Sequence, residues 1–133
     1  MSSLYVRTTF RNWVTDPVGF TVPYYDTINR SVSPTDAIWL TLDFEPEFSE
    51  ELNFCRDAIE EGVVDFVFSG RAGVGDTALL TAAEADMAWL KTQEDPTGRL
   101  VIRSIQAAEE FTAGDAEMSY RIVFGVEYAY FHN

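Results

Sequence analysis

The sequence predicts an α+β domain, with a mostly antiparallel β-sheet and two helices packed on one face of it. Two stretches carry apolar residues at helical spacing, one near the start of the chain and one in its middle. Other stretches alternate apolar and polar residues, as strands with one buried face do. These strands occur in runs interrupted by single helices, an order that is typical of antiparallel α+β folds.

The first predicted helix runs from Ser3 to Val14. Its apolar residues share one helical face, namely Val6, Phe10, Trp13 and Val14. Asp16-Pro17 ends the helix, because proline disfavours a helical conformation in the residue before it. The next stretch, residues 17–36, contains Pro17, Pro23 and Pro34 and is predicted to be a long ordered connection with a short strand or a hairpin arm.

The first strand is predicted over residues 37–45. One face carries Ile38, Leu40, Leu42 and Phe44, and the other carries Trp39, Thr41 and Asp43. Residues 45–51 are predicted to form an acidic loop, with four glutamates around Phe48. Leu52–Arg56 is a weaker strand candidate, and Gly62–Ser69 is a stronger one.

The second helix is predicted from Asp76 to Thr92, with a buried stripe of Leu79, Leu80, Ala83, Met87 and Leu90. Glu84, Asp86 and Lys91 lie off this stripe. The turn before it, Gly70–Thr77, has the glycine spacing of a phosphate-binding loop. Asp76 stands at the lysine position of that motif, where a carboxylate would repel phosphate. We therefore predict that Asp76 caps the helix and that this turn binds no nucleotide.

The last part of the chain is predicted to hold two strands. Asp95–Gly98 is a turn signal, and Leu100–Gln106 is the strand that follows it. An acidic turn is predicted over Phe111–Glu117. The final strand, Met118–Phe131, has an apolar and aromatic face made of Met118, Tyr120, Ile122, Phe124, Val126, Tyr128 and Tyr130.

Composition limits the function. The 133 residues suit one domain over residues 1–133, and they include 22 acidic and 9 basic residues with a net charge of −13. Such a balance disfavours a basic nucleic-acid patch and an anionic membrane surface. Cys55 and His132 are the only cysteine and histidine. We therefore expect no disulfide and no metal or cofactor site. We also expect no nucleophilic catalytic residues, so the sequence does not predict an enzyme.

The clusters of acidic residues and of tyrosines can each be interpreted as functional or as structural. The pairs Glu50-Glu51, Glu60-Glu61 and Glu109-Glu110 suggest acid–base chemistry, but their positions near predicted loops favour a solvated surface. The glutamates of residues 45–51 do not fit the spacing of a calcium loop. Tyr120, Tyr128 and Tyr130 share a strand face, and without basic neighbours they suit core or subunit-interface packing better than base stacking.

The order of segments resembles a known family over nearly the whole chain. An amphipathic helix is followed by an alternating strand, an acidic loop, the strand Val63–Phe68, a glycine-rich turn and the second helix. The chain closes with the tyrosine-rich strand that begins at Tyr120. This order is similar to that of the tail terminator proteins of long-tailed (siphovirus-type) bacteriophages, the family that includes the terminator of phage lambda.

The resemblance implies a structural role in the virion. Family members form a six-fold ring on the finished tail tube, stop its growth and present a surface to the neck of the head. The expected partners are further copies of the chain, the tail tube protein and a neck or head-completion protein. DNA would pass through the lumen without specific binding, and no membrane is involved. The expected location is the tail–neck junction, after assembly in the host cytoplasm.

A head-to-tail ring requires two different patches to meet. The candidate interface residues are Trp39, Tyr128 and Tyr130, because large aromatics anchor interfaces. Phe48 is expected to touch the adjacent ring or tube. Loops project from a sheet, so the acidic residues expected to line the lumen are Glu45, Glu47, Glu50, Glu51, Glu109, Glu110 and Asp115. Two alternatives remain at this stage: another phage neck or tail-tube component, and a small α+β binding module.

Overall fold

The computed structural model describes residues 4–25, 38–51, 58–70, 76–106, 109–112 and 120–132. The two helices are α1 (Leu4–Val14) and α2 (Asp76–Leu90). The strands are β1 (Ile38–Glu51), β2 (Ala58–Gly70), β3 (Leu100–Ile105), β4 (Glu109–Thr112) and β5 (Tyr120–His132). The predicted α+β class is confirmed.

The strands form one sheet in the order β1-β2-β5-β3, and every pairing between named strands is antiparallel. β4 also pairs with β5, opposite Tyr120–Val123, whereas β3 lies opposite Val126–Tyr130. β3 and β4 therefore follow one another along the same edge of β5, and β1 forms the other edge. One β-bulge interrupts β1 between Pro46 and Phe48, and another interrupts β3 between Ile102 and Ser104.

Both helices cover the same face of the sheet. The alternating apolar residues of the strands point to this face, where they are buried against apolar residues of α1 and α2. Phe10 of α1 lies at the centre, with its ring in edge-to-face contact with Phe44, Phe66 and Tyr128. Tyr5, one turn earlier, stacks on Tyr130 with 5.0 Å between ring centroids. The predicted core faces of both helices and of β1, β2 and β5 are confirmed for the described side chains.

α1 turns into a short irregular segment that crosses to β1. The amides of Gly19 and Phe20 donate to the carbonyl of Asp16, which closes a turn directly after the helix. Gly19 lies against the indole ring of Trp89, and a Cβ at this position would overlap that ring. Farther on, Leu40 exchanges backbone hydrogen bonds with Pro23 and Tyr25. A single parallel bridge, Tyr24 to Leu40, therefore holds this segment on the outer edge of β1.

The predicted acidic loop over residues 45–51 is wrong, because β1 continues through it to Glu51. β2 begins at Ala58, earlier than predicted, and its residues Ala58–Glu61 supply backbone partners to Phe48–Glu51. Strand pairing satisfies the backbone whatever the charge of the side chains, so the ladder overrides the loop-like composition. Likewise, Phe111 and Thr112 belong to β4 and not to an acidic turn.

Some predictions fall outside the described residues. They concern the weak strand Leu52–Arg56, residues 26–36 of the long connection, residues 71–75 of the glycine-rich turn, and the start of the final strand at Met118. Within the described residues, no helix is long and apolar enough to cross a membrane.

Candidate functional site

The face of the sheet away from the helices, called the open face below, is covered by no described element. Its side chains are half-buried or exposed: Trp39, Thr41, Asp43, Val63, Asp65, Val67, Arg121, Val123, Glu127 and Phe131. Val67 lies between Thr41 on β1 and Val123 on β5 in the strand register. Phe131 keeps 39% of its surface exposed at one end. Trp39, Val67 and Val123 thus form a small apolar strip at one end of the open face, and the row of Asp43 and Asp65 separates it from Phe131. Exposed apolar patches are typical of contact surfaces.

Hydrogen bonds organise the polar side of the open face. Ser104 Oγ and Gln106 Nε2 each donate to the Glu127 carboxylate over 3.0 Å. The Arg103 guanidinium reaches from β3 across β5 to Glu61 on β2, with 2.7 Å between Nη1 and Oε1. This pair spans Ala129, which the register places between the two strands and which is fully buried. The carboxylates of Glu127 and Glu61 therefore link β3 and Gln106 to β5 and β2 on the open face.

Asp95 is the most heavily hydrogen-bonded carboxylate. Its Oδ1 accepts from the Tyr5 hydroxyl at 2.6 Å, and its Oδ2 accepts from the Thr97 hydroxyl at 2.6 Å and from the Leu100 amide at 3.0 Å. Burial by itself raises the pKa of Asp95. The hydrogen bonds from Thr97, Tyr5 and the Leu100 and Thr97 amides outweigh burial and lower this pKa from 3.8 to about 2. The carboxylate thereby ties α1 to the start of β3.

Asp86 is a second buried carboxylate, which was predicted to lie off the buried stripe of α2. That placement is wrong, because the side chain is only 1% exposed. Its Oδ1 accepts from the amide and hydroxyl of Thr21, and its Oδ2 accepts from the amide of Val22, at 3.0–3.1 Å. Helical spacing already places Asp86 on the buried stripe, three residues after Ala83 and four before Leu90, and only its hydrogen-bond donors, more than sixty residues away, have no local signal.

Glu60 and Glu61 do not form the solvated pair that the sequence predicted. Both lie within β2, where neighbouring residues point to opposite faces. Glu60 points to the covered face, is 5% exposed, and accepts a 2.8 Å hydrogen bond from the Tyr128 hydroxyl. Glu61 points to the open face, where Arg103 pairs with it. Each carboxylate therefore has a structural partner.

Of the three predicted interface aromatics, two lie inside the chain's own core. Tyr128 is 1% exposed and Tyr130 is 7% exposed, because both point to the face that α1 covers. They have little surface to offer a neighbouring subunit, so we no longer propose them as interface residues. Trp39 is half-buried on the open face near the start of β1.

The predicted lumen residues are in strands and not in projecting loops. Glu45, Glu47, Glu50 and Glu51 belong to β1, and Glu109 and Glu110 belong to β4. Phe48, the predicted contact with a tube or ring, also lies in β1, directly after its bulge. Asp115 is outside the described residues. These glutamates are therefore not carried on a loop that projects from the sheet, as their prediction as lumen residues required.

A groove of about 510 Å³ runs along the outer edge of β3, called the edge groove below. One side is β3 itself, and the other is the end of α2 with the residues that follow it. Its lining includes Lys91, Glu94, Asp95, Gly98 and all of Leu100–Ile105. A smaller groove of about 300 Å³ continues it along α2 and shares Lys91 and Ile105. Apolar side chains of β3 thus lie beside basic ones in a single channel.

Among the described residues, no group of three His, Cys, Asp or Glu side chains could hold a metal ion. The N-terminus of α2 is at Asp76, as predicted, but the preceding turn and the Asp76 side chain are outside the description, so the cap stays a prediction.

No protein-family model matches this chain, and no curated protein matches it. The two candidate surfaces are the open face and the edge groove.

Proposed function

We propose that this chain is a structural protein of a phage virion, forming a six-fold ring that ends the tail tube and receives the neck. The element order carries the proposal. A helix, a long hairpin, a second helix and an aromatic terminal strand follow one another as in the tail terminators that the sequence resembles. In this proposal the protein is not an enzyme and uses no cofactor.

Two features of the surface support an assembly role. The open face offers an apolar strip with Trp39, Val67 and Val123 that no described element of the chain covers. The buried carboxylates Asp86 and Asp95 accept hydrogen bonds from the chain's own backbone, so their role is structural. The candidates for function among the described residues are then the two surfaces. Because a fold of this class hosts many functions, the proposed function is tested by whether the protein assembles into a ring.

The direct test is the size and shape of the purified protein. We expect rings of uniform diameter in electron micrographs, either from the protein alone or on purified tail tubes, and a hexamer in native mass spectrometry. Tails assembled without the protein should have no fixed length, because nothing ends tube growth. A protein that remains monomeric both alone and in the presence of tails would overturn the proposal.

The edge groove favours one alternative, a small binding module, because a channel of this volume is within the usual range for ligands. The size measurement described above also distinguishes the binding module from the ring protein. A binding module stays a monomer or dimer and is stabilised against heat by its ligand, whereas a ring protein is stabilised by its own assembly.

A further inference from the structure

We propose that residues 20–25, called the strap below, prevent the outer edge of β1 from pairing with the same edge of a second copy of this chain. The strap lies on the part of that edge formed by residues 38–44, called the near edge below. It is thus an autoinhibitory contact against self-association. This contact lies within one chain, so it exists with or without the ring proposed above.

The near edge lacks the features that protect the rest of β1. Residues 45–51 include Pro46, a bulge and four glutamates, and each of these opposes an incoming strand. Residues 38–44 contain no proline and carry one charge, that of Asp43. A strand edge that is apolar and nearly uncharged pairs readily with another such edge, and a second copy of the chain supplies one.

The strap occupies an outward hydrogen-bonding position of the near edge. The Leu40 amide donates to the Pro23 carbonyl over 2.8 Å, and the Leu40 carbonyl accepts from the Tyr25 amide over 2.9 Å. Because backbone groups alternate between the two sides of a strand, those of Leu42 also point outward. A second copy needs consecutive outward positions to form a ladder. The strap interrupts this ladder at Leu40 and fills the space where the incoming strand would lie.

Asp86 of α2 holds the strap in place. Its side chain is 1% exposed, and its carboxylate accepts from the Thr21 amide, the Thr21 hydroxyl and the Val22 amide at 3.0–3.1 Å. Phe20 and Val22 are buried beside these bonds, and the ring centroids of Phe20 and Trp89 lie 5.6 Å apart. The position of the strap therefore depends on one carboxylate that takes no part in the pairing of β1 with β2.

Without the strap, the near edge is complementary to itself. A two-fold axis perpendicular to the sheet places two copies of the near edge side by side and antiparallel, which is an isologous contact. In the register that pairs Leu40 with Leu42 of the second copy, Asp43 lies opposite Trp39. No like charges then meet directly across the contact. Such a contact joins two copies and stops there.

Hydrogen exchange tests whether Asp86 holds the strap. Asp86→Asn replaces one acceptor oxygen with a donor, so at least one bond to the strap is lost. We expect the Leu40 amide to exchange about tenfold faster than in the unsubstituted protein, because the strap opens more often. The Thr41 amide, which faces β2, should stay slow. Glu84→Gln, the same change at an exposed position of α2, is the control, and equal Leu40 exchange in the two variants would overturn the inference.

Sedimentation tests whether the strap guards the edge. Asp86→Asn should have about twice the mass of the unsubstituted protein at the same concentration. Adding Thr41→Lys places a charge on the near edge and should abolish this gain, whereas Thr81→Lys on the exposed side of α2 should not. Circular dichroism confirms that each variant folds. An unchanged mass despite faster Leu40 exchange overturns the inference, and so does a gain that the two lysines affect equally.

Thr21→Val covers the case in which Asp86→Asn does not fold. It removes only the hydroxyl bond to Asp86, so the effects should be smaller, with the Leu40 amide exchanging about threefold faster. Unchanged Leu40 exchange in this variant would then overturn the inference. Absence of rings in every sample would overturn the proposed function alone, because Leu40 exchange and the doubled mass are measured without rings.

Discussion

Asp95 joins distant parts of the chain through one carboxylate. It accepts hydrogen bonds from Tyr5 on α1 and from Thr97, Arg99 and Leu100 around the start of β3. Because these bonds lower its pKa to about 2, the folded state holds the ionised form more strongly than the unfolded chain does. The resulting stabilisation is complete above the ordinary pKa near 3.8. It is lost as the pH falls through 3.8 towards 2.

We therefore expect Asp95→Asn to lower the free energy of unfolding by about 2 kcal/mol at pH 7. The difference from the unsubstituted protein should shrink between pH 4 and pH 2, where the native carboxylate takes up its proton. Urea unfolding at several pH values measures this. Glu94→Gln, an exposed neighbour, is the control and should unfold like the original chain. A difference that is the same at every pH would contradict the role of ionised Asp95.

Asp86 is the subject of a second prediction at the residue scale. Asp86→Ala removes the acceptor of two backbone amides and one hydroxyl, those of Thr21 and Val22. Leaving buried donors unpaired should cost about 3 kcal/mol of unfolding free energy. Glu84→Ala, at an exposed position of the same helix, should change it by less than about 0.5 kcal/mol. Equal effects of the two substitutions in denaturant melts would show that Asp86 does not anchor this segment.

At the scale of elements, the two edges of the sheet differ in how they are protected. The outer edge of β1 is held by the bridge to Tyr24 and contains Pro46 and a bulge, which are features that limit strand addition. The β3 edge is short and has its own bulge, but it borders a groove. Pro46 and the bulge thus protect the far half of β1 against strand addition, and its own bulge and short length protect β3.

The start of α2 carries a prediction from the sequence. The helix begins at Asp76, and a carboxylate at a helix N-terminus is expected to oppose the positive end of the helix dipole and to accept from free backbone amides. Asp76→Ala should therefore cost about 1 kcal/mol of stability in thermal or chemical unfolding. Asp76→Lys, which restores the phosphate-loop lysine, should not create ATP binding in a calorimetric titration. Nucleotide binding by the unsubstituted protein would refute the cap interpretation.

At the scale of the whole molecule, one face of the sheet packs in the core and no described element covers the other. Trp39 lies on the open face, whereas Trp89 packs inside against Phe20 with 5.6 Å between ring centroids. We expect Trp39→Ala to weaken ring assembly more than folding, because a half-exposed tryptophan adds interface area. Trp89→Ala, the matched control, should lower the melting temperature first. An unchanged ring with a lowered melting temperature in Trp39→Ala would place Trp39 in the core instead.

The sequence by itself determined the fold class and the core faces. Alternation in β2 and β5 and the helical spacing of Val6, Phe10 and Val14 are local patterns, and burial of one face follows from each of them. The helix starts and the turn at Asp95–Gly98 could also be predicted locally. Each depends on the conformation that one residue gives to its own stretch of backbone.

Tertiary structure alone decided the rest. Residues Glu45–Glu51 became strand because β2 lies beside them, and the donors to Asp86 come from Thr21 and Val22, far along the chain. The tyrosines Tyr128 and Tyr130 are internal because α1 covers them. The edge groove exists only once β3 becomes an edge next to α2. Local spacing can assign a residue to a buried face, but the element that covers this face and the hydrogen-bond donors that meet it are remote in sequence.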